Sequence, residues 1–154
     1  MERTDKRLRL CTALLVLNVL FIWGNSLLPG SVSGAISHWV RDVIAFLFHK
    51  APSDPDSGHG LLRKLAHFTE FACLGALFAW LFGMCRKPIL FAAACSFAVA
   101  CVDETIQRFV PDRGPAFLDV LIDTSGALLG IGLLLLGYTI HKKQAKQALE
   151  DTTT

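Results

Sequence analysis

The sequence predicts an all-α membrane protein: a bundle of four transmembrane helices, with an amphipathic helix lying in the membrane interface between spans one and two. Three observations indicate this class. Apolar residues make up 53% of the 154-residue chain and charged residues only 18%, and the mean hydropathy is +0.47, which is far from a soluble average. Four segments are long and apolar enough to cross the hydrocarbon core, which takes roughly 20 residues. Lysine and arginine also concentrate on one side of these segments.

The four predicted spans form one transmembrane domain, residues 1–140, followed by a polar tail, residues 141–154, that is expected to be frayed. Pro29 ends the first span. Short connections join the second span to the third and the third to the fourth, which favours antiparallel helix hairpins. The predicted spans are residues 10–28, 65–84, 89–107 and 116–138.

Charge near the span ends predicts the orientation. The positive-inside rule places the side with more lysine and arginine in its short flanks in the cytoplasm. Because that side carries both termini, we expect the N and C termini to be cytoplasmic. Its basic residues are Arg3, Lys6, Arg7, Arg9, Arg86, Lys87, Lys142, Lys143 and Lys146. The net charge of +2 is too small to indicate nucleic-acid binding.

A fifth apolar segment, residues 33–50, has the spacing of a helix with one apolar face. A fifth span would place Arg41 and Asp42 in lipid at a cost of several kcal/mol. We therefore favour a helix in the outer interface, followed by a polar loop, residues 51–60. The apolar face consists of Ile36, Trp39, Val40, Val43, Ile44 and Leu47, and the polar face of Ser37, His38, Arg41 and Asp42.

Polar and ionisable side chains gather at the span ends that this orientation places outside. Such groups are costly within spans, and each needs a partner or a purpose. They lie up to roughly 10 Å below the surface at a rise of 1.5 Å per residue, so three helices would deliver them to one outward-facing pocket. They are Lys64, His67 and Glu70 at the start of the second span, Asp103, Glu104 and Gln107 at the end of the third, Arg113 in the following loop, and Asp119 and Asp123 at the start of the fourth.

This polar set has a structural interpretation as well as a functional one. In the structural interpretation, Lys64, Arg108 and Arg113 pair with the carboxylates and cap helix ends. We favour that for Asp103 and Arg108 alone. For four other residues we favour function, because an internal salt bridge can be replaced by apolar residues at little cost. These residues are His67, Glu70, Glu104 and Asp123.

Small residues at four-residue spacing predict close helix packing. Gly126 and Gly130 form a GxxxG pair in the fourth span, and Gly75 and Ala79 a similar pair in the second. We favour packing within the chain and leave open a homo-oligomer through Gly126 and Gly130. The five cysteines show no CxxC pair and no disulfide-like spacing, and are interpreted as packing residues.

Three strings in the polar set resemble the VanZ-like family, and the likeness runs from the first span to the fourth. They are Lys64-Leu65-Ala66-His67-Phe68, Asp103-Glu104-Thr105-Ile106-Gln107, and Arg113 followed by Asp119-Val120-Leu121-Ile122-Asp123-Thr124-Ser125-Gly126 with Gly130. Ser26 and Pro29 also look like the family's serine and proline after the first span. The chain departs from the pattern in three places: Phe71 stands where many members have Tyr, Ala116 where Ser is common, and Asp123 where Asn is frequent.

The resemblance implies a multi-pass protein of the bacterial plasma membrane with a role at the cell envelope. The family's namesake is associated with resistance to the glycopeptide teicoplanin, but the family has no agreed biochemical mechanism. The likeness therefore implies a location and no particular reaction.

Three functions are compatible with the polar set. The first is a binder whose outward pocket holds a lipid head group or a lipid-linked wall precursor. The second is an enzyme acting on an envelope lipid, in which His67 is the general acid or base and Glu70 or Glu104 orients it. Lys64 and Arg113 would then hold a phosphate, although no Gly-x-Ser-x-Gly or other standard hydrolase motif is present. The third is a purely structural bundle, and we rank the binder slightly above the enzyme and the structural bundle last.

Cofactor use stays open at this point. A divalent metal held by His67, Glu104 and Asp123 is compatible with the preference of several ions for imidazole and carboxylate. No HExxH spacing is present to settle it. The candidate binding residues are Lys64, Gln107, Arg113, Asp119 and Asp123.

Overall fold

The protein is all-α in the computed structural model, which describes residues 2–47, 59–85, 87–114 and 116–152. Four of its helices are long and apolar enough to cross a membrane, over Thr4–Ser26, Leu61–Met84, Ile89–Gln107 and Phe117–Glu150. The predicted class, a four-span helical membrane bundle, is confirmed. The helices are α1 (Glu2–Ser26), α2 (Gly30–Leu47), α3 (His59–Met84), α4 (Ile89–Gln107) and α5 (Phe117–Thr152).

Helix α2 is the predicted amphipathic helix and is not among the four membrane-spanning candidates. The Gly30 N–H at its start donates to the Pro111 carbonyl at 3.1 Å, which fastens α2 to the connection between α4 and α5. Trp39 on the apolar face is 68% exposed, whereas Ser37 on the polar face is buried. Trp39 therefore points away from the bundle, as expected for a helix that lies against lipid, whereas Ile36 and Val40 of the same face line a cavity inside the bundle.

The observed ends of the helices differ from the predicted ones in two places. His59 and Gly60 already belong to α3, so the polar loop predicted over 51–60 is shorter; its first eight residues, like residues 48–50 of the predicted interfacial helix, lie outside the described part of the chain. The tail is helical to Thr152 and not frayed. No proline or glycine follows Gly137, and the alanine, lysine, glutamine and leucine residues of this stretch are good helix formers.

Helix α3 lies at the centre of the bundle and packs against α1, α4 and α5, most extensively against α5. Glycines allow this closeness. A Cβ on Gly126 would overlap the Phe68 carbonyl, and one on Gly130 would overlap the Ala72 carbonyl. The GxxxG pair is thus buried against α3 of the same chain, which is the packing that the sequence favoured over a seam between chains.

A stripe of small residues turns the polar end of α4 inward. Ala92, Ser96 and Ala100 follow one another every four residues and are fully buried. Residues three and four apart lie on one face of a helix, so the stripe continues into Asp103, Glu104 and Gln107, which are buried too. Packing of the small residues in the middle of α4 therefore fixes the direction of its last polar turn.

Large apolar side chains cover most of the outer surface. Leu17 and Phe21 on α1, Phe91 on α4 and Leu133 on α5 are each about half exposed or more. The buried core is small by comparison and centres on Ile22, Phe71, Leu74, Ala100, Val120 and Ala127. This arrangement suits a protein whose solvent is hydrocarbon, and it makes the buried polar residues at one end the exception that needs explaining.

Candidate polar site

The polar residues meet where α1 and α4 end and where α3 and α5 begin, which we call the polar end of the bundle. Three side chains from three helices are closest there: His67 from α3, Asp103 from α4 and Asp123 from α5. One ligand atom from each lies within 4.8 Å of the others, and the residues are 9%, 0% and 3% exposed. We call this set the buried triad.

Gln107 holds Asp103 in place. Its Nε2 donates to Asp103 Oδ2 at 2.8 Å and to Ser26 Oγ on α1 at 3.2 Å. Asp103 Oδ1 has no hydrogen-bond partner in the described part of the chain. Since an unsatisfied buried polar atom costs about 1–3 kcal/mol, this oxygen marks a place where the protein alone does not complete the site.

His67 lies between two carboxylates without bonding to either. Its Nδ1 is 3.9 Å from Glu70 Oε2 and 3.9 Å from Asp103 Oδ2, beyond the 2.7–3.2 Å of a typical N–H to O hydrogen bond. Both Nδ1 and Glu70 Oε2 are buried and lack partners among the residues that the structure describes. The imidazole is thus surrounded by acidic oxygens that it does not reach.

Helix α1 contributes the other partners of Glu70 and Arg113. Asn25 Nδ2 donates to Glu70 Oε1 at 2.8 Å, and the Asn25 carbonyl accepts from Arg113 NH2 at 2.9 Å. Arg113 is buried in the connection between α4 and α5, and its Nε and NH1 find no partner in the described residues. Burial, with the nearby charge of Arg63, lowers the pKa of the Arg113 guanidinium from its usual value, but an arginine stays cationic at neutral pH.

Glu104 and Lys64 have separate roles at the edge of the site. Glu104 Oε1 accepts from the Ala116 backbone N–H at 2.6 Å, so it caps the start of α5. Lys64 Nζ is 3.3 Å from Asp119 Oδ1 in a partly exposed ion pair. In the described residues no hydrogen bond or ion pair joins Glu104 to His67. Glu70 is therefore the better placed of the two carboxylates predicted to orient the imidazole.

A cavity of about 550 Å³ opens beside the polar end, between α1, α2 and α3. Most of its wall is apolar, but one end is charged. Its apolar lining includes Phe21, Leu28, Ile36, Val40, Leu62 and Leu65, and its charged lining consists of Arg63, His67, Glu70 and Arg113. A long apolar trough that ends in cationic and acidic groups matches the shape of an amphiphile.

A second, much smaller space of about 10 Å³ lies on the other side of His67, against Gln107 and Asp123. That volume is about what a single water-sized particle needs. His67 therefore separates a large apolar cavity from a small polar one.

The structure unites most of the predicted residues and adds others. His67, Glu70, Gln107, Arg113 and Asp123 converge, whereas Glu104, Lys64 and Asp119 lie at the edge. The predicted metal set of His67, Glu104 and Asp123 is not the group the structure brings together, because Asp103 takes the central position and Glu104 turns to the α5 backbone. The residues that were not predicted as site residues are Asn18, Asn25, Ser26 and Arg63, and Asp103 was placed in the polar set but interpreted as structural.

Sequence signals existed for some of the missed residues. Asp103 and Gln107 are four apart and so share a helix face, and this pairing points inward once the small residues before it are buried. Asn18 is an amide in the middle of an apolar span, which is costly unless it serves a site. Its side chain lines the large cavity, and its Oδ1 has no partner in the described residues.

One comparison with known proteins identifies a family for the chain. The VanZ/LLP1 family model matches residues 11–138, a segment that runs from within α1 to within α5 and includes every member of the buried triad. No curated protein and no solved structure matches the chain. Because the matched segment covers well over half of the sequence, this multi-pass membrane protein belongs to the VanZ/LLP1 family.

Proposed function

We propose that the protein resides in the bacterial plasma membrane with both termini in the cytoplasm, and binds the head group of a lipid, or of a lipid-linked wall component, in its polar end. The main support for this proposal is the cavity between α1, α2 and α3. Its apolar wall ends at Arg113, whose Nε and NH1 have no hydrogen-bond partner in the described residues. An acyl chain fits the wall and an anionic head group fits the end.

The chemistry of the two arginines supports an anionic head group as the ligand. Arg63 and Arg113 both line the charged end of the cavity, and a guanidinium binds phosphate through two parallel hydrogen bonds. Arg113 is held by one bond to the Asn25 carbonyl, which leaves Nε and NH1 for a ligand. A buried cation with free donors is costly without an anion, so a phosphate in this position would stabilise the folded protein.

The charge distribution supports the orientation. Basic residues flank the ends of α1, α3 and α5 that are opposite the polar end, and such flanks stay in the cytoplasm. The polar end then faces outward, where lipid-linked wall precursors are used. Family membership supports a role at the cell envelope and makes teicoplanin susceptibility a relevant cellular measurement.

Binding is tested by substituting Arg113. The purified protein is reconstituted in nanodiscs of neutral lipid, and phosphatidylglycerol or an undecaprenyl phosphate is titrated by native mass spectrometry. Arg113→Gln is expected to weaken binding at least tenfold, since a charge-assisted bidentate contact contributes on the order of 1.5–3 kcal/mol. Arg108→Gln, in the same loop but exposed, is the matched control. Equal affinity of both variants and the wild type would refute the head-group site.

Orientation is tested in intact cells with a membrane-impermeant maleimide on a cysteine-free background. Pro111→Cys lies in the connection at the polar end and Gln144→Cys near the end of α5. If Pro111→Cys is labelled and Gln144→Cys is not, the result supports the proposed orientation. Labelling of the second only reverses the topology and moves the ligand search to the cytoplasm.

A second candidate function, an enzyme acting on the bound lipid, is favoured by one observation. His67 lines the cavity and lies 3.9 Å from two carboxylates, an arrangement in which a modest movement would orient the ring as a general acid or base. The two functions separate on His67→Gln: an enzyme loses turnover and keeps lipid affinity, whereas a binder shows no turnover in either form.

A further inference from the structure

The buried triad of His67, Asp103 and Asp123 contains more negative charge than its neighbours balance. In residues 2–47, 59–85, 87–114 and 116–152, no lysine or arginine forms an ion pair with Asp103 or Asp123. Lys64 pairs with Asp119 instead, and Arg113 donates to a backbone carbonyl. Two carboxylates and one imidazole are therefore buried together with no lysine or arginine paired to either carboxylate, which is costly for ionised groups.

The unpartnered atoms of the triad are of types that bind metal ions. Asp103 is fully buried and its Oδ1 has no partner in the described residues, and the same is true of the buried Nδ1 of His67. No hydrogen bond or ion pair of Asp123 is found in that part of the chain either. Imidazole nitrogen and carboxylate oxygen are the donor types that first-row divalent ions take in proteins.

We propose that His67, Asp103 and Asp123 bind one divalent transition-metal ion, with Zn²⁺ bound more tightly than Mn²⁺. Ligand atoms within 4.8 Å of one another need to approach to about 3.3 Å for bonds of about 2.0 Å in a tetrahedral site. If the three side chains share this decrease in separation, each ligand atom moves by less than about 1 Å, and a small change in side-chain torsion is sufficient for that. The ion neutralises both carboxylates.

The surroundings of the triad fit such an ion. Gln107 Nε2 donates to Asp103 Oδ2 and is itself held by Ser26 Oγ, which leaves Oδ1 for the metal, as outer hydrogen bonds do for metal ligands elsewhere. The space of about 10 Å³ against His67 and Asp123 has room for one water as a fourth ligand. A metal in this position would lie beside the large cavity and does not depend on which molecule occupies it.

The binding test uses the full chain in detergent, stripped with a chelator and titrated with Zn²⁺, Mn²⁺ or Mg²⁺ by calorimetry, with stoichiometry from elemental analysis. We expect one Zn²⁺ per chain at micromolar affinity or better, Mn²⁺ at least tenfold weaker and Mg²⁺ weaker still. A chain that binds no Zn²⁺, or binds Mg²⁺ as tightly, overturns the proposal.

Two substitutions locate the ion. Asp123→Asn keeps the shape of the side chain and removes its charge, and His67→Gln removes the imidazole. Each is expected to weaken Zn²⁺ binding by about 100-fold or more, because loss of even an outer partner costs 10–100-fold. Asp112→Asn is the control, because it makes the same chemical change on an exposed carboxylate in the connection between α4 and α5, and it should bind like the wild type. Unchanged affinity in both triad variants refutes the assignment.

A spectroscopic measurement on the wild type covers the case in which a variant fails to fold. X-ray absorption of the Zn²⁺-loaded protein should show only nitrogen and oxygen neighbours near 2.0–2.1 Å, with one imidazole. A sulfur neighbour at about 2.3 Å would assign the ion to the cysteines and overturn the proposal.

Discussion

Substitution of Gly130 by alanine measures the packing of α3 against α5. The added methyl group would overlap the Ala72 carbonyl, so the two helices must move apart or bend. Overpacking of this kind costs about 1–3 kcal/mol. Alanine recovers about 0.5–1 kcal/mol of helix propensity relative to glycine, so the difference lies between about 0 and 2.5 kcal/mol. Because the overlap is with the Ala72 backbone and not with a flexible side chain, we expect a net loss of about 1–2 kcal/mol.

Gly132→Ala is the matched control for this loss. Gly132 lies two residues further along the same helix and is exposed, and a methyl group added there would have no neighbouring heavy atom within 4 Å. The same chemical change should there be neutral or slightly stabilising. Reversible unfolding in mixed micelles, followed by the circular dichroism of the helices, compares the two variants with the wild type. A loss of 1–2 kcal/mol changes the folded-to-unfolded ratio by a factor of about 5–30.

The result that refutes this reasoning is equally specific. If Gly130→Ala and Gly132→Ala unfold at the same denaturant fraction, Gly130 is not needed for the close approach of α3 and α5. If only Gly132→Ala is destabilised, and chemical cross-linking of that purified variant also falls, the exposed face of α5 that carries Gly132 is an interface between chains.

Two further predictions concern the polar end. Gln107→Leu removes the donor to Asp103 and Ser26 and is expected to lower the unfolding free energy by about 1–3 kcal/mol because buried acceptors lose their partner; an unchanged melting temperature in detergent would contradict that. Glu104→Ala removes the acceptor of the Ala116 N–H and should cost about 0.5–2 kcal/mol, the usual range for a lost helix cap. If Glu104 acts on the ligand instead, lipid binding falls while the melting temperature stays constant.

Local sequence patterns were sufficient to predict the spans and the polar end of the bundle. Hydropathy over roughly 20 residues identifies a span without knowledge of its neighbours, and the structure has four helices long and apolar enough to cross a membrane. Polar residues at the end of one span and at the start of the next meet because short connections fold the helices back on themselves. The meeting of His67 with Asp123 could therefore be predicted before the structure was known.

The roles of neighbouring carboxylates could not be predicted in the same way. Asp103 and Glu104 are adjacent on α4, and adjacent helical residues point about 100° apart. Which of them faces His67 depends on the exact rotation of α4 in the bundle, and the buried stripe of Ala92, Ser96 and Ala100 does not choose between them, because both carboxylates are buried. The sequence interpretation favoured Glu104, whereas the packing places Asp103 at the centre.

The membrane class, the four spans, the amphipathic helix and the polar end of the bundle were all accessible from the amino-acid sequence, because each follows from composition or spacing within one segment. The buried triad and the cavity beside it emerged from tertiary packing alone. Both are built from helices distant in the chain: α3, α4 and α5 for the triad, and α1, α2 and α3 for the cavity. Contacts between such segments depend on helix rotation and close packing, which no local pattern specifies.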